Sequence, residues 1–172
     1  HKNIAIFRTI IPELRKRHFG GILIIVANPV DVLTYAAAKM SGLPESHVIG
    51  SGTMLDSARL RYVLGEHLDV DSRCVHAYII GEHGDSEIAA FSSANVSGVP
   101  LPKFCEMRGH FDHEKANREI AERVKNSAYE IIKKKHATYY GIAMCVKRLC
   151  EAIVSDEKSI LPVSVVMHGE YG

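Results

Sequence analysis

The sequence has no apolar run long enough to cross a membrane; the longest uninterrupted stretch, Ile22 to Ala27, falls far short of a span. It has no excess of one charge either. Lys+Arg number 21 against 20 Asp+Glu, and a formal charge of +1 argues against a general nucleic-acid surface, leaving any anion site to local arrangement. The four cysteines, Cys74, Cys105, Cys145 and Cys150, show neither CxxC spacing nor a disulfide framework, so they read as free thiols in a reducing compartment. Repeats, linkers and low-complexity segments are missing, no G-x-G-x-x-G occurs, and the opening residues carry no secretory or transit pattern. These absences exclude a membrane span, a disulfide scaffold and a repeat array. What remains, at 172 residues, is a chain that can bury a globular core and is expected in the cytoplasm.

Periodicity supplies the elements. Ile4, Phe7, Ile11 and Leu14 recur at helical spacing from Asn3 to about Phe19, and Gly20-Gly21 is expected to end that helix. Ile22 to Ala27 suits a strand buried on both faces, as in a parallel sheet. Asn28-Pro29-Val30-Asp31 then opens a helix, with Asn28 as candidate N-cap, and Ser41-Gly42-Leu43-Pro44 closes it. A short strand at His47 to Gly50 precedes a helix from Met54 to about Glu66. Arg73 to Ile80 alternates, with Val75, Ala77 and Ile79 on one face, and Glu87 to Val96 reads as a further strand before the Gly98 to Pro102 loop. Helices follow at Asp112–Lys134 and, after Lys135-His136-Ala137-Thr138, to about Ile153, then a strand at Ile160–Met167. The pattern is α/β: the end of a parallel sheet over 1–50, joined to a mixed α/β domain over 51–172.

Both ends read as cut. His1-Lys2-Asn3 enters a helix with no starting methionine, and Ser164 to Gly172 reads as a strand and turn whose partner strand never arrives. The sequence is therefore expected to be part of a longer protein.

The chemistry centres on Tyr78-Ile79-Ile80-Gly81-Glu82-His83-Gly84-Asp85-Ser86, where an apolar run ends in a histidine between glycines and carboxylates. Glycines on both sides allow tight bends, and a histidine at the end of a buried strand is suited to shuttling a proton. The competing reading is a loop histidine capping a strand; the upstream cluster Asp56-Ser57-Ala58-Arg59 weighs against it. Among the ten histidines, His110 and His113 form an H-x-x-H, but no second ligand pair follows at zinc-like spacing, so they read as solvated loop residues and no metal is expected.

Gly81-Glu82-His83-Gly84-Asp85-Ser86, Leu55-Asp56-Ser57-Ala58-Arg59 and Asn28-Pro29-Val30-Asp31 resemble three signatures of the L-lactate dehydrogenases, in that family's order and spacing, and the similarity runs from Asn3 to Gly172. The resemblance implies a Rossmann-type dinucleotide-binding domain ending near residue 50 and a substrate domain beyond it, both incomplete. It implies NAD as cofactor, and pyruvate and L-lactate as substrates in glycolysis and fermentation. His83 is then the general acid/base and Asp56 the partner that raises its proton affinity and fixes its tautomer. Arg59 grips the substrate carboxylate, since a guanidinium fork matches two carboxylate oxygens. Asp56 as a plain helix residue paired with Arg59 is the competing reading.

The resemblance also gives Asn28 to the nicotinamide ribose and the substrate oxygen, Ser51 to the nicotinamide carboxamide, Thr138 to the pocket wall at the substrate methyl, and Ile142 to packing on the nicotinamide. Lys135-His136-Ala137 departs from the family's usual Lys-Gly. Arg61, turned away from Arg59 on the same helix, and His76 match an arginine and a histidine that bind fructose 1,6-bisphosphate between subunits in the activated bacterial enzymes. A solvent-facing arginine and an ordinary strand histidine are the alternative there. A homotetramer is the implied assembly, with no nucleic-acid or membrane partner. The family's glycine-rich loop, ribose-binding acid and mobile substrate loop are expected upstream, so this stretch alone is expected to bind NAD poorly and be inactive. The rival functions are a malate or other 2-hydroxy-acid dehydrogenase of the same superfamily, and a non-catalytic sugar-phosphate-binding or assembly module of this fold. Glu82 favours the lactate enzyme.

Overall fold

The computed structural model describes residues 2–170. His1, and the Tyr171-Gly172 end of the expected C-terminal turn, lie outside the described residues. The chain divides into two compact units, His1–Gly52 with Val163–Gly172, and Thr53–Pro162. Among the described residues no helix is long and apolar enough to cross a membrane.

In the first unit, helix α1 (Lys2–Lys16) carries Ile4, Phe7, Ile11 and Leu14 into a core shared with Ile25, Val30, Leu33, Ala37 and Val48. It stops at Lys16, ahead of the expected Gly20-Gly21. His18 takes a left-handed φ of 54°, and the His18 and Phe19 N–H groups donate to the Arg15 and Leu14 carbonyls, at 3.0 and 3.1 Å. That is a Schellman ending, in which local hydrogen bonds to orphan carbonyls win over the glycines downstream.

Strand β1 (Leu23–Ile25) pairs in parallel with β2 (Val48–Gly50), in register Leu23 with Val48, and α2 (Val30–Ser41) is the crossover between them. The parallel arrangement is as expected; burial on both faces is not. Among the described residues β1 pairs only with β2, and Ile22 and Val26 stay 38% exposed. Asn28 is not the cap of α2: Pro29 occupies that position and makes no side-chain cap, which leaves Asn28 one residue outside the helix. Gly42 ends α2 at φ 70°, as its place in the sequence suggested.

The second unit is built on α3 (Met54–Leu68), which runs two residues past the expected Glu66 and ends with Asp69 in the left-handed region. Val75, Ala77 and Ile79 are buried on one face, as the alternation requires, but the stretch splits into β3 (Val75–His76) and β4 (Ile79–Ile80) in different sheets. Its partner splits too. Strand β5 (Ile88–Ala89) pairs antiparallel with β4, a helical turn at Phe91–Ser93 re-aims the chain, and β6 (Asn95–Val96) pairs with β3 and with β7 (Val99–Pro100). The single strand expected over Glu87–Val96 is therefore two.

Helix α4 (Leu101–Met107) follows, where the sequence reads only as loop; Pro102 sits in its first turn, where the missing N–H costs nothing. Helix α5 (His113–Lys135) is capped by Asp112, whose carboxylate accepts from the Lys115 N–H at 3.1 Å, and α6 (Tyr140–Val154) completes the unit. Leu60, Leu64, Leu68, Val75, Ile79, Val96, Ile120 and Val124 form its core. The strand expected at Ile160–Met167 reduces to one bridge in the first unit, Ser164 with Gly50, closed by hydrogen bonds of 2.9 and 3.0 Å. Pro162, two residues earlier, has no N–H to extend a ladder.

Candidate active site

Ile79 joins the two sequence clusters. At the start of α3, the hydroxyl of the N-cap residue Thr53 donates to the Ile79 carbonyl at 2.6 Å, and the Ser57 hydroxyl accepts the Ile79 N–H at 2.9 Å. All three residues are buried. These bonds satisfy strand groups that would otherwise be orphaned, and they dock β4 on α3. The chain leaves β4 through Gly81, at φ 85°, and passes His83 before Gly84, at φ 129°. Both glycines adopt backbone that a side chain resists, and the bend returns His83 over the helix.

There His83 Nδ1 lies 2.5 Å from Asp56 Oδ2. The other oxygen, Oδ1, accepts from Arg59 Nη1 at 3.2 Å. Asp56 thus contacts two side chains at once, Arg59 on its own helix and His83 on the β4 loop. Its side chain is 4% exposed, against 15% for Arg59 and 27% for His83. Both oxygens of that buried side chain are engaged, as burial of polar atoms requires. The imidazole is thereby held at Nδ1.

Glu87, not singled out from the sequence, converges on the same point: donor atoms of Asp56, His83 and Glu87 lie within 4.8 Å of one another. Burial, and then the Asp56 charge, push the Glu87 carboxyl up to about 7. The 2.5 Å spacing of His83 and Asp56 suits a shared proton; two ligands around a tetrahedral zinc would stand farther apart. Cys145, on α6, also faces this charge, and burial followed by Asp56 raises its thiol, which keeps it neutral near pH 7.

Arg61 and His76 line one surface hollow of about 430 Å³ with Ala58, Ser72, Arg73 and Val75. The Arg73 guanidinium is already taken by Asp71, at 2.7 Å, and holds that carboxyl down to about 2. Thr138 and Ile142 are half-buried at the α5–α6 connection, where His136 caps α5 at φ 63°. Asn28 and Ser51 lie in the first unit, beyond the carboxyl ends of the neighbouring parallel strands β1 and β2; the Ser51 N–H donates to the Ile25 carbonyl at 2.8 Å. That is where ligands of open parallel sheets gather.

His110 and His113 are not the solvated loop residues expected. Both are half-buried, His110 stacks on His67 with ring centroids 4.2 Å apart, and His113 begins α5. Thr53, Ser57 and Glu87 are the site residues that the sequence hid. The first two read as ordinary polar residues of a helix start, and only the proximity of Glu87 to the His83 motif hinted at a role.

The profile of the lactate/malate dehydrogenase NAD binding domain matches residues 1–50, and that of the alpha/beta C-terminal domain matches residues 53–172. An L-lactate dehydrogenase of Acetivibrio thermocellus is 52% identical over 99% of this chain and 54% of the relative. L-lactate dehydrogenase 1 of Clostridium acetobutylicum is 50% identical over 100% of this chain and 55% of the relative. The chain thus spans about half the length of the curated relatives it matches. Among solved structures, a lactate dehydrogenase from a Medee basin deep-sea metagenome library superposes with a TM-score of 0.94 at 47% identity, covering 98% of this chain and 54% of that one. The minor L-lactate dehydrogenase of Enterococcus mundtii, in a ligands-bound form, gives 0.93 at 48% identity, covering 99% and 54%.

Proposed function

The chain belongs to the lactate/malate dehydrogenase family, and from that premise we propose that the protein is an NAD-dependent L-lactate dehydrogenase, interconverting pyruvate and L-lactate. The observation that carries this reading is the single buried carboxylate, Asp56, that holds a histidine on one oxygen and an arginine on the other. Reduction of a 2-keto acid needs a proton for the carbonyl oxygen and a grip on the carboxylate, and those two side chains supply them.

With Nδ1 of His83 held by Asp56, proton exchange with substrate falls to Nε2. The Asp56 carboxylate stabilises the imidazolium in the reduction direction and fixes one tautomer in the other. Arg59 presents its guanidinium to the pyruvate carboxylate, and Thr138 walls the methyl group. When bound, NADH supplies the hydride to the carbonyl carbon. Asn28, Ser51 and Ile142 are the residues proposed to hold its nicotinamide end. We assign residues 1–50 to the end of the dinucleotide-binding domain and 51–172 to the substrate domain. Arg61 and His76, on a shared hollow, are proposed to take fructose 1,6-bisphosphate as activator in a homotetramer. The four free thiols favour a cytoplasmic setting.

The test is NADH oxidation by the full-length protein with pyruvate, oxaloacetate and a branched 2-keto acid. Preference for pyruvate, abolished by His83→Asn, is expected. A clear preference for oxaloacetate would overturn the lactate assignment.

A further inference from the structure

Of the groups around His83, Glu87 is the one the proposed reaction leaves without a task. It is half-buried, and its backbone N–H donates to the Gly84 carbonyl at 3.2 Å, which fixes it across the turn from the histidine. We propose that Glu87 is a positioning residue for the catalytic proton: its carboxyl, within 4.8 Å of the Asp56–His83 pair, sets how tightly the His83 ring holds that proton. The inference rests on the lactate dehydrogenase reading.

The charged neighbours decide the sign. From α3, Asp56 disfavours the Glu87 anion and Arg59 favours it; from its own loop, protonated His83 and the Gly84 N–H favour it. Asp85 of that loop is tied to α5, accepting from Lys125 and Tyr129. Cys145, from α6, is neutral near pH 7. With burial the leading influence, the carboxyl sheds its proton near pH 7, and below that pH it is uncharged. Above it, a second negative charge beside Asp56 attracts the proton on His83. The acid form of the histidine therefore persists to higher pH than Asp56 alone would allow, and keto-acid reduction, which consumes that proton, extends with it.

The experiment compares the full-length protein with its Glu87→Gln variant in two readouts: the NMR titration of the His83 ring, and the pH profile of kcat for pyruvate reduction. The amide mimics the uncharged carboxyl, so the two proteins should agree near pH 5.5. They should separate above pH 7, the variant losing roughly threefold or more in rate by pH 8, with its His83 titrating at lower pH. A variant slowed equally at every pH would mark a structural role and overturn the proposal, as would an unmoved His83 titration. Absence of pyruvate reduction in the parent protein would instead overturn the lactate dehydrogenase reading, while the histidine titration would still decide whether Glu87 governs that proton.

Discussion

Asp56 is asked to do two things with one carboxylate, and each oxygen can be tested alone. Asp56→Asn keeps the shape but offers an amide to a ring that needs an acceptor, so the imidazolium loses its stabilising charge. We expect kcat for pyruvate reduction to fall about 10²- to 10⁴-fold, with a smaller change in KM. Arg59→Lys keeps the charge and loses the fork. Pyruvate KM should rise by roughly tenfold or more, and steady-state kinetics separate the two effects.

Glu87 carries a stability consequence as well. Its folded-state value, about 7, lies above the 4.5 of the free side chain, so the folded protein binds more protons between those values. Its contribution is thus fully present below about pH 4.5 and is lost as pH rises through 7. Glu87→Gln should raise the melting temperature at pH 8 and leave it nearly unchanged at pH 4.5; equal shifts at both would refute the assignment. The residues proposed to carry charge for the reaction were legible in sequence because they stand in short, chemically dense clusters. Thr53 and Ser57 were not, because their work is to bind the backbone of Ile79, a partner more than twenty positions away that no local pattern announces.

The helices are legible for a physical reason, the apolar stripe that period 3.6 writes on α1, α3, α5 and α6. The strands are less so. Arg73 to Ile80 alternates as one strand, but Arg73 and Cys74 fall in a helical turn, Val75–His76 and Ile79–Ile80 pair with different partners, and the switch depends on the turn at Phe91–Ser93. Alternation reports which face is buried and says nothing of which neighbour is bonded. Helix ends tell the same story. At the close of α5, His136 takes φ 63° and donates its N–H to Ile132 at 2.7 Å, in the place where the sequence departs from the family's glycine. The histidine side chain resists that backbone. His136→Gly should therefore stabilise the protein by roughly 0.5–1 kcal/mol net of the entropy glycine adds to the unfolded chain, read from the urea midpoint. Lower stability would mean that the His136 ring contributes more than its backbone costs.

At the scale of the whole molecule, helix α3 carries residues of both proposed sites. Arg59 and Arg61 are two positions apart on α3, so their side chains leave it some 200° apart. Arg59 turns to Asp56, and Arg61 turns to the hollow it shares with His76. Arg73 lines that hollow too, but Asp71 neutralises it through a forked contact, so the positive charge available to an anion there comes from Arg61, joined by His76 when protonated. If a bisphosphate binds the hollow as proposed, it would contact the same helix that carries Asp56, the partner of His83. Arg61→Ala removes that charge on the face away from Asp56. In the full-length protein, the ratio of pyruvate-reduction rates with and without fructose 1,6-bisphosphate should fall to about one, and His76→Ala should act in the same direction. The activator's apparent affinity should also weaken as salt rises, since ions reach the half-buried Arg61 in an open hollow and screen its charge. Undiminished activation in Arg61→Ala would place the sugar phosphate elsewhere, and α3 would then serve the substrate side alone.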